Sequence, residues 1–138
     1  MQDLQTILIN GNHSLVVAKG SEIRCYQQRG VADIHHLLHH DPDFLQGSRL
    51  ADKIIGKGAA ACMIAGGVIA ISTNIISQAA LNLLQQYSIP TSYNHCVPHI
   101  INRSKTGPCP LESKLGDETD IDRLIPLIDD FVAQLKTN

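Results

Sequence analysis

Four histidines, His35, His36, His39 and His40, crowd one short segment. On a helix, pairs four residues apart share a face and can chelate a transition metal, and both 35/39 and 36/40 have that spacing. All four fall opposite Ile34, Leu37 and Leu38, so the segment reads as an amphipathic helix with a solvated polar side. The histidines are therefore assigned to that polar side, and no metal is expected. A second cluster is Arg49–Lys57, RLADKIIGK. Read as a helix, it sets Arg49, Lys53 and Lys57 in one cationic stripe beside Asp52. Gly56 and Gly58 each cost about 1 kcal/mol relative to alanine in a helix interior. Two reasons for them stand side by side: close backbone packing against a sheet, or approach of an anionic ligand to the helix N-terminus.

A third group, Asn102, Arg103, Cys109 and Glu112, gathers several polar types on a proline- and glycine-rich segment that a scaffold could aim. Cys109 would lie near the start of a short helix, with Arg103 and Lys105 close in sequence, an environment that favours a thiolate. Glu112 could bind a ligand's amine or hydroxyl, or act as a base. The other reading is a proline turn with a buried thiol and a surface carboxylate. A fourth, His95-Cys96…His99, fails as a metal motif if the segment is extended. Alternation then puts His95 and His99 on one face and Cys96 on the other.

The elements that must carry these groups follow from periodicity. Ser14–Lys19 and Glu22–Gln27 are β-rich and joined by Gly20-Ser21, a hairpin. Val31–His40 is a helix that Pro42 either ends or interrupts. Leu50–Ala65 has helical length, with Ile54, Ile55, Ala61 and Ala65 inward, and a break at Gly66-Gly67. Val68–Ile71 reads as a buried strand. Ser77 suits the N-cap of a helix to about Tyr87 that buries Ala80, Leu81 and Leu84. A strand near Tyr93–Val97 comes next, then a loop with a short helical end over 100–115. Ile121 to Leu135 keep helical spacing, with Pro126 either kinking that helix or marking its start. The order predicts a single domain over residues 1–138. It is an α/β domain of three layers, α-β-α, with a mixed sheet between helices.

Composition narrows the function classes. The 138 residues are 43% hydrophobic and only 17% charged, below the ~25% usual for soluble domains, so much of the chain is inside. Eleven basic and 13 acidic residues give a net charge of −2, and two Phe, three Tyr and no Trp leave little stacking surface. A nucleic-acid polymer is thereby excluded as a partner, whereas a mononucleotide or small anion is not. The cysteines, Cys25, Cys62, Cys96 and Cys109, form no CxxC pair, and the N-terminus lacks signal-peptide features. Reduced thiols and a cytoplasmic location are expected. The run from Gly58 to Asn94 is uncharged, and Ala59–Ile76 within it raises a membrane flag. Gly66-Gly67 and Ser72-Thr73-Asn74 break it, and a soluble helix followed by a strand fits better.

The runs NHSLVV (Asn12–Val17), ADKIIGK (Ala51–Lys57) and VPHIINR…CPLE (Val97–Glu112) resemble the uncharacterised bacterial family called domain of unknown function 1893, over nearly the whole chain. The resemblance implies a cytidine-deaminase-like fold. Zinc deaminases of that fold open one helix with [HC]-x-E and the next with P-C-x-x-C. Here no His or Cys is followed two residues on by Glu. The first motif's place falls on Ala51-Asp52-Lys53, and the second helix opens Ser77-Gln78-Ala79-Ala80. The zinc ligands are missing, so no cofactor is expected and zinc-dependent deamination is excluded. What the resemblance implies instead is a metal-free pocket between two helix N-termini. Asp52, Lys53 and Lys57 would line one wall, and Asn102, Arg103, Cys109 and Glu112 would close over it, with Asn12 and Ser14 at the entrance. The expected function is binding of a small anionic or nucleotide-like ligand. Two rivals stand beside it: a cysteine-dependent enzyme using Cys109 with Glu112 or His99 as base, and a non-catalytic interaction module.

Overall fold

The computed structural model describes residues 4–28, 31–100 and 110–137, with side chains through Gln134. Its centre is a five-stranded sheet in the order β2-β1-β3-β4-β5. The hairpin strands β1 (Leu15–Lys19) and β2 (Glu22–Tyr26) are antiparallel, closed at a turn where Gly20 takes φ +59°, a conformation open to glycine without steric cost. On its other side β1 pairs antiparallel with β3 (Arg49–Ile55). β3 runs parallel to β4 (Ala70–Ser77), and β4 parallel to β5 (Thr91–Val97). The mixed three-layer α/β architecture expected from the sequence is what forms.

The layers are unequal. Among the described residues one face carries only α1 (Leu4–Asn10), whose Leu8 closes a small cluster with Val16 and Ala51. The main core lies on the other face, among α2 (Ala32–His40), α3 (Pro42–Leu45), α4 (Lys57–Gly66), α5 (Gln78–Gln86), α6 (Pro110–Leu115) and α7 (Ile121–Thr137). α4 is apolar on every side, and Ala60, Ala61, Cys62 and Met63 are wholly buried. A helix of that kind belongs inside a domain. It packs against α2, α5, α6 and α7. No helix among the described residues is long and apolar enough to cross a membrane; the uncharged run is α4, β4, α5 and most of β5.

Two corrections concern the helix expected over Leu50–Ala65. Arg49–Ile55 is a strand, and the helix begins only at Lys57. Helix-favouring Leu, Ala and Lys are overridden by pairing with β1 and β4, contacts that no local window contains. Ile54 and Ala65, expected inward, are exposed, whereas Ile55 and Ala61 are buried. The stop at Gly66-Gly67 forms as expected, with Gly67 left-handed at φ +80° and its N–H bonded to the carbonyls of Met63 and Ile64. Ser77 caps α5, its Oγ accepting the Ala80 N–H at 3.1 Å. α7 runs through Pro126 without ending there, since its apolar stripe, Leu124, Ile128 and Val132, is buried on both sides of the proline.

Candidate functional site

Parallel strands send their crossover helices back from one end, so the carboxyl ends of β3 and β4 meet the N-termini of α4 and α5. Open α/β sheets commonly bind ligands there. Asp52 sits near this end of β3, in register with Leu15 on one side and Thr73 on the other. Leu15 belongs to the main core, which places Asp52 on the helix-rich face. Beyond Asp52 and Thr73 the alternation shifts: the next buried residues are Ile55 and Ile76, three positions on. The N–H groups of Ile54 and Lys53 lie near enough to the Asp52 carboxyl to favour its charged form, and Thr73 Oγ1 donates to the Ile75 carbonyl at 3.1 Å. Two polar side chains thus turn back on their own strands where those strands lose alternation.

Burial drives the Asp52 carboxyl up to about 8, against the two backbone N–H groups and with the charge of Asp33 adding to the rise. Asp33, at the start of α2, is itself buried and accepts the Gln28 N–H at 2.9 Å. At neutral pH Asp52 is therefore mostly a neutral acid, able to donate a hydrogen bond as well as accept one.

The four-spaced cationic stripe does not exist, because Arg49 and Lys53 are on a strand. Lys53 is exposed and turns toward the end of α1, its Nζ 3.0 Å from Asn12 Oδ1. Asp52 and Lys53 thus do not share a wall. Lys57 is buried, with Nζ donating to the Gly116 carbonyl at 2.7 Å; desolvation lowers its pKa against the charges of Asp117, Glu112 and Glu118. The Lys57 N–H at the start of α4 donates to Glu112 Oε1 at 3.0 Å. An internal carboxylate from α6 therefore occupies the helix N-terminus where an anionic ligand was one expectation. The glycines answer to that contact: a Cβ on Gly58 would lie 2.4 Å from Leu111 Cδ2, and one on Gly56 3.1 Å from Glu112 Oε1. Close packing is their reason, against α6 and not against the sheet.

Ser14 Oγ lies 3.1 and 2.6 Å from the carbonyls of Tyr26 and Gln28, tying the residue before β1 to the end of β2 and the residues just past it. Asn102, Arg103 and Cys109 lie outside the described residues. His95 is exposed and Cys96 half-buried, its Sγ 3.5 Å from Gln78 Oε1, while His99 lies beyond the end of β5. Cys62 is buried and its thiol pushed up to about 12 by burial and by the Asp129 charge, which keeps it an inert thiol. Ala51-Asp52-Lys53, expected to open a helix, lies within β3, and the helix begins with Lys57-Gly58-Ala59.

The histidine cluster divides. His36 and His40 are exposed with ring centroids 4.2 Å apart. His35 and His39 instead face α7, each Nε2 2.7 Å from Asp129 Oδ1. Asp129 carries no signal in the sequence that would single it out. It adjoins the buried Ile128 on the apolar stripe of α7, and only packing against α4 aims it at α2.

The model of a domain of unknown function, DUF1893 (TM1506), matches residues 3–132. A crystal structure of a DUF1893 family protein from Thermotoga maritima is similar, with a TM-score of 0.84 and 25% sequence identity over 91% of this chain and 85% of that one. No curated protein matches. A fold shared over nine-tenths of the chain, with the family pattern running from the first helix into the last, has one reading: the chain belongs to the DUF1893 family.

Proposed function

We propose that this chain is a zinc-free domain of cytidine-deaminase-like fold that binds a small nucleotide-like ligand at the carboxyl ends of β3 and β4. The observation that carries the reading is Asp52: a fully buried carboxyl, held neutral near pH 7, at the end of an open α/β sheet where ligands are usually taken. A carboxylic acid that feels the charge of a second buried carboxyl, Asp33, suits the edge of a heterocycle, with its mixed donors and acceptors, better than it suits a phosphate. With Lys53 turned toward α1 and Lys57 bonded to Gly116, the cation proposed for the anionic part of such a ligand is Arg103, which lies outside the described residues. The missing [HC]-x-E and P-C-x-x-C motifs make the proposed role binding and not zinc-dependent deamination.

The test is a thermal-shift series with nucleosides, nucleotides and inorganic phosphate, run on the native chain and on Asp52→Asn. A nucleoside or nucleotide at 100 times its Kd should add about 2.7 kcal/mol of stability. Asp52→Asn should abolish that increment while remaining folded. Silence from every nucleoside and nucleotide at millimolar concentration, or an increment that survives in Asp52→Asn, defeats the proposal.

A further inference from the structure

The structure assigns His35, His39 and Asp129 as a binding site for a divalent transition-metal ion of the zinc type, joining α2 to α7. The three potential ligand atoms all lie within 4.8 Å of one another. Each Nε2 is 2.7 Å from the same Oδ1, and the two rings are 4.5 Å apart between centroids. Two imidazoles aimed at one carboxylate oxygen already have the convergence that a metal requires. Zinc bonds of about 2.0–2.1 Å in tetrahedral geometry set ligand atoms roughly 3.4 Å apart, so each Nε2–Oδ1 separation widens by about 0.7 Å and the two Nε2 atoms settle at the same spacing.

The scaffold holds this geometry from beneath. Ile34 and Leu37 anchor α2, Leu124 and Ile128 anchor α7, and both helices rest on the buried α4. Imidazole and carboxylate together select zinc, copper, nickel or iron over magnesium or calcium. The side chain of His35 is 13% exposed, while those of His39 and Asp129 are each 42% exposed, so an ion can enter and keep a water as its remaining ligand. On binding, each neutral imidazole carries its proton on Nδ1 and offers the Nε2 lone pair to the ion. The carboxylate exchanges two N–H bonds for one metal bond. His36 and His40 have the same spacing but no carboxylate partner among the described residues, which makes them an internal control. The site is remote from the Asp52 proposal in chemistry and in test, and neither depends on the other.

The experiment is calorimetric titration of ZnCl2 into the full chain, prepared without a histidine tag and stripped with EDTA. One ion per chain is expected, with an accompanying rise in melting temperature. Asp129→Asn and His39→Gln should each weaken binding at least tenfold and remove that rise, and far-ultraviolet circular dichroism checks that both remain folded. The double variant His36→Gln/His40→Gln should bind as the native chain does. Absence of binding overturns the assignment. So does binding that Asp129→Asn and His39→Gln leave intact, or that the double variant removes.

Discussion

At position 52 a carboxyl group has lost its water, and the nearby N–H groups of Ile54 and Lys53 replace it incompletely. Its proton is held about four pH units above the ordinary carboxylate value near 3.8. The consequence for stability has a definite sign. The folded state binds this proton more tightly than the unfolded chain does, so the contribution is fully present below about pH 4 and is lost as pH rises toward 8. Within that window each pH unit costs about 1.4 kcal/mol. Asp52→Asn keeps the shape and cannot ionise. Its stability relative to the native chain should therefore grow by roughly 2–3 kcal/mol between pH 5 and pH 7 in urea denaturation. A difference that stays flat over that range would show that Asp52 ionises freely in the fold. Asp129 has the opposite sense. Burial pushes its carboxyl up, but the hydrogen bonds from His35 and His39 outweigh burial and hold it below the usual range.

Among the elements, α4 shows how packing outranks propensity. Gly66 ends it against Leu45, and a Cβ there would sit 2.2 Å from Leu45 Cδ2 and 2.7 Å from Cγ. Leu45 is wholly buried and has nowhere to move. Gly66→Ala should thus destabilise by about 1–3 kcal/mol through overpacking, although helix propensity alone promises about 1 kcal/mol of gain. Adding Leu45→Val should recover part of the loss, a non-additivity that a double-mutant cycle in urea reads directly. A more stable Gly66→Ala protein would refute the close approach. The same contrast explains what could be read from the chain. The hairpin at Gly20, the stop at Gly66-Gly67 and the Ser77 cap are local signals, and all three stand in the structure. β3 was hidden because its identity comes from β1 and β4, distant in sequence, while its own residues favour a helix. Asp52 was legible as a residue of interest but not its environment, since one step of strand alternation separates it from Lys53. His35 and His39 were visible as a pair; their partner sits on α7, ninety-odd positions away.

The whole molecule is lopsided about its sheet. Among the described residues six helices build the main core on one face, and the other face has α1 alone, held by Leu8 over Val16 and Ala51 with Leu4 and Ile7 at the rim. Past α1 that face exposes Asn74, Ser92 and Asn94, and the Asn94 amide bonds the Asn74 side chain at 3.1 Å. The two sides should consequently differ in how readily they open. Regions with little buried apolar area exchange amide hydrogens through local opening, whereas core elements wait for global unfolding. Backbone amides of α1 should be less protected than those of α4 and β4 by a few kcal/mol, roughly the worth of one buried leucine and its neighbours. Leu8→Ala should cost about 2–5 kcal/mol in the stability of α1. It should speed exchange there while leaving exchange on α4 under native conditions far less changed. Protection of α1 equal to that of α4 in the native chain would mean that the face is held by the cooperative unit as a whole, and that the small cluster around Leu8 is not a separable part of the fold.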